Sequence, residues 1–418
     1  MLTRTGRPLL AEQYTDMLTQ DYRLRNVLLS SYHHDFSSLL QFDQRIQMYL
    51  DGMLLVKEET AEYLRRQLQE LLSPGELFSV AAFAANANDE FLLSGCLGLV
   101  QGMPRFLPSL LAVTGWMSEA SALWPLIMSH PACRVFASVM REGITSPPIF
   151  TQQEIISLLE NGQCVDFLLW FLRKNSSPLF VPAIKQVFSS GQEALILQGC
   201  RAILCLRPLS DEYIEIVREQ LLLLASSKKT DIRTQAVRYL LTSSLCDPHA
   251  LISALSGEQD TRLLIQAMGW SGLAEYIPSL AAFFDEQRYA RLSLLSVVAI
   301  TGSLPERDGW QMKKEDEMLP APDPDSADIP ELDPEQGVSW PDRMAFNRWW
   351  QANQGYLDSG EAYLCGQPAT PEGLAAVIAK GYLNLRPLAA MRSGMFSELS
   401  SLPAVSQRRG FSLLFKNK

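Results

Sequence analysis

The sequence predicts an all-α protein, a solenoid (α-α superhelix) of stacked helical hairpins that an acidic, proline-rich insertion interrupts. Three observations predict it. Apolar residues recur at helical spacing over most of the 418 residues, with hardly a strand signal. A pattern of two helices joined by a tight turn repeats along the chain. One segment, rich in prolines and acidic residues, interrupts that pattern.

Composition narrows the class of protein and of partner. Hydrophobic residues make up 47% and charged residues 20%, which suits a chain with a large buried core. The net charge of −10 argues against nucleic acid as the main partner, because phosphates need a basic face. The first residues lack the apolar stretch of a secretory signal, and no apolar run reaches about 18 residues. We therefore expect a cytoplasmic protein without a membrane span.

Residues 1–52 predict an N-terminal helical cap of two or three helices. Apolar side chains from 36 to 50 fall on one stripe, and Asp51-Gly52 predicts a break after it. A further helix over 61–72 is expected to stop at Ser73-Pro74-Gly75.

Residues 53–303 predict a repeat array. Thr151 and Glu154 have the spacing of a capping box, and Asn161-Gly162 predicts the end of that helix. The nine residues from Gly102 (GMPRFLPSL) match the nine from Gly272 (GLAEYIPSL), each after an apolar helix. A weaker copy covers 178–184, and 289–302 has the form of a second repeat helix that ends in glycine. Such hairpins must stack to bury their apolar faces, and we expect about five to seven.

Residues 304–341 predict an acidic, proline-rich loop. They contain seven prolines, and acidic residues outnumber basic ones by eleven to three. Because proline removes a donor and like charges repel, we expect no buried helix or strand there. One interpretation of this segment is a solvated linker. The other is a segment that contacts a basic partner, or the basic C-terminal residues of this chain.

Residues 342–418 predict a C-terminal helical cap. Thr370-Pro371-Glu372 has the residues of a helix start, and a second helix is expected over 382–399. The last residues, 407–418, mix four basic with four apolar side chains, which is typical of a frayed terminus or of an anchor for a membrane or partner.

Motifs for catalysis, cofactors and metals do not stand out. The sequence has no HExxH, paired CxxC, Walker loop, GxGxxG after a strand or GxSxG. The seven cysteines predict reduced, buried thiols. His33-His34 beside Asp35 fits a metal or acid–base site, and it also fits a polar turn before a helix. We predict no catalytic residue, no cofactor and no metal.

Four of the eight tryptophans lie in or beside the acidic segment: Trp310, Trp340, Trp349 and Trp350. One interpretation is that they pin the segment onto the helical body, since large aromatic side chains bury well. The other is a partner-binding patch, since tryptophan is enriched at binding hot spots.

The chain also resembles a known group. Residues 34–54, the Gly102 and Gly272 turns, Ile300-Thr301-Gly302, the acidic insertion, Trp349-Trp350 and residues 363–372 together resemble a bacterial family of HEAT-like repeat proteins of unknown function. Genes of that family often accompany type VI secretion clusters. The resemblance covers most of the chain and carries no catalytic residues. It implies a HEAT-like solenoid with a cytoplasmic accessory role near secretion genes.

Two classes of function follow from the sequence. The first is a non-catalytic scaffold or adaptor with a protein partner, such as a secretion-system component or an effector. The alternative is an enzyme on a HEAT-like scaffold, with a pocket that gathers acids, histidine or tryptophan. A nucleic-acid binder would need a contiguous basic stripe, and we predict no nucleic-acid partner.

Overall fold

The computed structural model describes residues 7–118, 121–140, 150–162, 165–205, 210–258, 260–312, 334–357 and 360–393. The chain forms two compact units. The first comprises Met1–Ser227 and Tyr382–Lys418, and the second comprises Lys228–Gly381. The point of division lies inside the predicted repeat array of 53–303, and the predicted acidic loop of 304–341 lies inside the second unit.

Helices dominate the described residues, and each of the four strands has two residues. The first unit contains α1 (Arg7–Leu28), α2 (Phe36–Leu55), α3 (Lys57–Gln67), α4 (Pro74–Ala87), α5 (Glu90–Gly102), α6 (Leu107–Val113), α7 (Trp124–Ile127), α8 (Pro131–Met140), α9 (Gln152–Glu160), α10 (Val165–Lys174), α11 (Phe180–Ser189), α12 (Glu193–Cys205) and α13 (Asp211–Leu224). The second unit contains α14 (Thr230–Thr242), α15 (Pro248–Ser256), α16 (Thr261–Ser271), α17 (Ile277–Ala282), α18 (Ala290–Thr301), α19 (Pro305–Asp308), β1 (Gln311–Met312), β2 (Trp340–Pro341), α20 (Arg343–Asn353), β3 (Tyr363–Leu364), β4 (Gln367–Pro368) and α21 (Pro371–Lys380). The chain then returns to the first unit with α22 (Arg386–Ser393). The all-α class is therefore confirmed.

The predicted break at Asp51-Gly52 is wrong, because α2 continues to Leu55. Gly52 is buried inside the helix, where a Cβ would lie 2.9 Å from the ring of Tyr14 on α1. The glycine therefore lets two helices approach closely. In the sequence alone, a glycine with this role looks the same as a glycine that ends a helix.

Ser73-Pro74-Gly75 starts a helix rather than stopping one. The Ser73 hydroxyl accepts the Glu76 amide at 3.3 Å, and the Glu76 carboxylate accepts the Ser73 amide at 2.6 Å. This reciprocal pair is a capping box for α4, with Pro74 at the first helical position. Helix α3 has already ended at Gln67.

Two predicted helix starts are confirmed by their caps. Thr151 accepts the Glu154 amide at 3.2 Å, and the Glu154 carboxylate accepts the Thr151 amide at 2.9 Å. Thr370 accepts the Gly373 amide at 3.2 Å at the start of α21. Both caps satisfy amides that have no partner within their own helix.

The two copies of the predicted repeat adopt the same local structure. After α5 comes a 3-10 helix, Pro104–Phe106, and then α6, which has a proline in its first turn. After α16 comes the 3-10 helix Ala274–Tyr276 and then α17, again with a proline in its first turn. The copies differ at the glycine: Gly272 has φ +76°, whereas Gly102 is the last residue of α5. The second repeat helix, α18, ends as predicted at Gly302, with φ +68°.

For 304–341 the sequence predicts no buried helix or strand, and in the short elements described there only Pro305 and Pro341 are buried. The described residues of this segment are 304–312 and 334–341. They contain α19 and the antiparallel pair β1–β2, in which Gln311 is opposite Pro341 and Met312 opposite Trp340. The proline and acid pattern missed this because short elements at both ends are held by tertiary contacts. Residues 313–333 lie outside the described residues, as does the part of the predicted helix 382–399 after 393.

A small hairpin, β3–β4, closes the C-terminal ends of two helices in the second unit. Its two turn residues, Cys365 and Gly366, have φ +53° and +73°, which suits a two-residue hairpin turn. The amides of Cys365 and Gly366 donate to the carbonyls of Ala299 and Ile300 at 2.6 and 2.9 Å in the last turn of α18. The amide of Tyr363 donates to the carbonyl at the end of α16, that of Gly272, at 2.8 Å. Carbonyls without partners in their own helices are thereby satisfied.

The described helices include none that is both long enough and apolar enough to cross a membrane.

Candidate binding surface in the second unit

Trp310 is the buried centre of an aromatic cluster in the second unit. It is 0% exposed. The ring of Phe284 is parallel to it at 6.0 Å between centroids, and Phe346 meets it edge-on at 5.1 Å. Offset and edge-on contacts at these distances are the favoured arrangements of aromatic pairs. Trp310 is therefore a packing anchor, and no part of its surface is open to a partner.

A polar network satisfies the indole of Trp310. Its Nε1 donates to the hydroxyl of Ser303 at 2.9 Å, and that hydroxyl donates to Oδ2 of Asp308 at 2.7 Å. Partial burial alone would raise the pKa of Asp308, but hydrogen bonds from Arg307 and Ser303 outweigh it, so the pKa lies below its ordinary value. The carboxylate is therefore held ionised beneath the cluster.

Helix α20 brings the next aromatic residues over this anchor. Asp342 caps the helix by accepting the Ala345 amide at 2.9 Å, and its own amide donates to the carbonyl of Trp310 at 2.7 Å. The helix start is thus fixed to the anchor residue. Phe346 is fully buried, and its ring lies 5.7 Å from that of Trp349 one turn later. Spacing of i, i+3 puts both rings on one helix face.

Three of the four predicted tryptophans keep part of their surface exposed. Trp340, Trp349 and Trp350 are all half-buried. The ring of Trp349 lies 6.5 Å from Trp310 and 6.4 Å from Trp350, so the aromatic contacts run from the buried anchor to the surface. We name these three side chains the tryptophan surface.

Exposed apolar and charged residues lie next to the tryptophan surface along the chain. Met312 is 43% exposed and pairs with Trp340 across the two strands. Met344, in the first turn of α20, is 74% exposed. The guanidinium of Arg291 lies 4.5 Å from the centroid of the Trp340 ring, and Arg343 forms an ion pair with Asp285. Apolar side chains with charged neighbours are typical of a protein-binding patch.

A carboxylate holds the second described part of the acidic segment to helix α16. Glu335 is 7% exposed, and it accepts from Nη2 of Arg262 on α16 at 2.5 Å. A hydrogen bond also joins Ser339 to Glu306, across the two ends of the segment. The two ends of the insertion are therefore fixed to the same compact unit.

Tyr356 lies close to the end of α18. Its hydroxyl donates to the carbonyl of Thr301 at 3.3 Å. Burial, and after it the charge of Asp308, raises the pKa of Tyr356 to about 12. The phenol is therefore a neutral donor at physiological pH, and the residue is 46% exposed.

The pair His33-His34 forms a polar turn in the first unit. Asp35 caps α2 by accepting the amides of Ser37 and Ser38 at 3.0 and 3.3 Å. The hydrogen bonds from Ser37 and Ser38 lower the pKa of Asp35. His34 Nδ1 is 2.8 Å from the hydroxyl of Ser31. The helix-start interpretation of this motif fits these contacts.

Metal-binding and thiol chemistry find no support in the described residues. Among them, no group of three or more His, Cys, Asp and Glu side chains is placed to hold a metal ion. Cys96 and Cys200 are buried free thiols, and Cys133 is also buried. Burial raises the pKa of Cys96 and Cys200 to about 12, so these thiols stay protonated at physiological pH.

Sequence reasoning found the tryptophans but missed the residues that hold them. Phe284 and Phe346 complete the anchor, and Glu335 fixes the insertion. The i, i+3, i+4 spacing of Phe346, Trp349 and Trp350 is a signal that could have placed three aromatic rings on one helix face. Nothing local distinguishes Glu335 from the other acids of the insertion. Comparison of the chain with protein-family models, curated proteins and solved structures finds no match.

Proposed function

We propose that this chain is a non-catalytic scaffold or adaptor that binds a protein partner through its tryptophan surface. The observation that carries the proposal is the support under Trp349 and Trp350. Their rings continue a contact series that starts at Trp310, which is fully buried and hydrogen-bonded. A partly exposed tryptophan held in place by packing loses little side-chain entropy on binding, and tryptophan is enriched at hot spots.

Our proposal includes a solenoid of HEAT-like hairpins as the frame for this surface. The support for this frame is the local structure of the two sequence repeats, at Gly102 and Gly272. Each has a helix, then a 3-10 helix, then a helix with a proline in its first turn. Units of this kind bury their apolar faces by stacking on one another.

The cellular role we propose is that of a cytoplasmic accessory factor of a bacterial type VI secretion system, in effector handling or assembly. Support for this context comes from the resemblance of residues 34–54 and 363–372 to the HEAT-like family found near such genes. The partner is then a secretion-system component or an effector.

A capture experiment with matched variants tests the proposal. The tagged full chain is expressed in cells that carry the native gene, and captured proteins are identified by mass spectrometry. We expect a secretion-associated protein, and we expect Trp350→Ala to weaken its binding about 30-fold, since a hot-spot residue contributes about 2 kcal/mol or more. Leu71→Ala is the control, because Leu71 is 96% exposed and belongs to the first unit.

Two outcomes contradict the proposal. Recovery of no secretion-associated protein removes the proposed role. Equal binding by the Trp350→Ala and Leu71→Ala variants removes the tryptophan surface as the binding site. Circular dichroism of both variants shows whether either change alters the helical content.

A further inference from the structure

Four large apolar side chains of α1 are exposed along one stripe. Leu9, Met17, Leu24 and Val27 are 57%, 46%, 43% and 68% exposed. At about 100° per residue, these positions fall within roughly 80° of arc. The exposed face of a surface helix is normally polar. This stripe is instead an apolar surface that the described residues leave uncovered.

Helix α2 carries a second stripe with the same spacing. Leu40, Met48 and Leu55 are 42%, 55% and 84% exposed, and they also fall within about 80° of arc. Seven of the fifteen exposed large hydrophobic residues in the described part of the chain therefore belong to these two helices. Single exposed apolar residues are common, but such a concentration marks an interaction surface.

The two stripes run along one antiparallel hairpin. Arg25 Nε donates to Oδ1 of Asp43 at 2.5 Å, and both side chains are buried between the helices. Counting along both helices from this pair puts Val27 level with Gln41, the neighbour of Leu40. Both stripes therefore begin near the α1–α2 turn and continue toward the other end of the hairpin.

The chain returns to this same turn before it enters its last residues. The amide of Leu383 donates to the carbonyl of His34 at 2.9 Å. Leu383 also packs against Leu28, Phe36 and Leu39, all of which belong to the α1–α2 hairpin. Helix α22 follows at once and ends at Ser393. We name residues 394–418, which follow α22 along the chain, the tail segment.

The composition of the tail segment is complementary to this surface. It contains nine large apolar residues and four basic residues against one acid. On α1, Glu12 and Asp16 are exposed, and both lie within about 60° of Leu9 around the helix. Partial burial raises the pKa of Asp16, and the charges of Glu12 and Glu76 raise it further, so these acidic side chains lie near one another.

We propose that the tail segment docks on the exposed apolar stripes of α1 and α2, with its basic residues beside Glu12 and Asp16. The length suffices: 25 residues span about 37 Å as a helix and roughly 80 Å extended, against about 33 Å for the 22 residues of α1. The covered surface belongs to the first unit and extends beyond the proposed function.

Photo-cross-linking of the full chain tests the docking. A benzophenone amino acid replaces Phe411 or Phe415, and irradiated protein is separated by size before its cross-linked peptides are mapped. We expect cross-links to the α1 or α2 peptides, at Met17 or Met48 above all, in the monomer-sized fraction. The double variant Met17→Glu, Val27→Glu is expected to reduce their yield at least tenfold, because it puts charge on the apolar stripe.

Phe91→Glu is the matched control, because Phe91 is 67% exposed on α5 and belongs to neither stripe. It should leave the cross-link yield unchanged. Cross-links from the tail segment to α1 or α2 only in a dimer-sized fraction would show that a second copy supplies the occupant, which overturns the proposal. Cross-links only outside α1 and α2, or none at all, overturn it as well.

Discussion

The backbone amide of Cys365 donates a 2.6 Å hydrogen bond to the carbonyl of Ala299. This bond joins the β3–β4 hairpin to the end of α18, more than sixty residues earlier in the chain. The next amide, that of Gly366, binds the next carbonyl, that of Ile300, at 2.9 Å. The segment that follows the insertion therefore caps the end of a repeat helix. Because the two backbones lie so close together, the glycines at this contact leave no room for a side chain.

Gly302→Ala is expected to destabilise the second unit strongly. Gly302 has φ +68°, where a non-glycine residue costs about 1–2 kcal/mol. An added Cβ would also lie 2.6 Å from the carbonyl oxygen of Cys365, so the hairpin must move. We expect a loss of about 3 kcal/mol or more in the free energy of unfolding, measured by urea denaturation.

Gly309→Ala is the control for this prediction. Gly309 has φ +78°, but no heavy atom lies within 4 Å of an added Cβ. Only the backbone cost of about 1–2 kcal/mol should remain. Equal losses for the two variants would show that the hairpin contact does not stabilise the end of α18.

Gly52→Ala is expected to separate α1 from α2. The Cβ would lie 2.9 Å from the ring of Tyr14, and overpacking of this kind costs about 1–3 kcal/mol. Gly98→Ala is the matched control, since Gly98 is helical and exposed, with nothing within 4 Å. There alanine should be neutral or stabilise by up to about 1 kcal/mol through its helix propensity. Thermal melts of both variants give the comparison, and a neutral Gly52→Ala would contradict the close approach.

Asp43→Asn is expected to lower the free energy of unfolding by about 3–5 kcal/mol, because it removes the negative charge that pairs with the buried guanidinium of Arg25. The side chains of Arg25 and Asp43 are only 6% and 4% exposed. The double variant Arg25→Met, Asp43→Leu should recover most of this loss, since no charge is then buried. Glu215→Gln, in an exposed pair with Arg218, should leave stability unchanged. Denaturant titrations measure the free energy of unfolding of each variant. Equal losses for Asp43→Asn and Glu215→Gln would contradict a stabilising role of the buried pair.

Asp308→Asn is expected to lower the free energy of unfolding by an amount that depends on pH. The folded pKa of Asp308 lies below its ordinary value, so its ionised form stabilises the fold above the unfolded pKa of about 3.9. That stability is lost as pH falls through the folded pKa. We expect a loss of about 1–3 kcal/mol at pH 7, where the carboxylate accepts from Ser303 and Leu304, and a smaller difference from wild type below about pH 4. Urea denaturation at pH 7 and pH 3.5 tests it, and a difference that does not depend on pH would contradict it.

The sequence by itself determined the features that depend on near neighbours. Helix starts such as Thr151 and Thr370 were predicted because a capping side chain reaches amides only two or three residues away. Gly302 was predicted as a helix end because a left-handed residue favours glycine wherever the chain turns. The all-α class and the repeated turns at Gly102 and Gly272 followed from the same local patterns.

Only the tertiary structure decided what each ambiguous pattern does. Asp51-Gly52 is typical of a break, yet Gly52 is helical, and the ring of Tyr14 occupies the space that a side chain at this position would need. The ends of the acidic insertion read as solvated loop, yet Trp310 and Glu335 are buried there by partners distant in sequence. Short-range propensity is weak, so a contact with a distant residue can reverse it without leaving a signal in the neighbouring sequence.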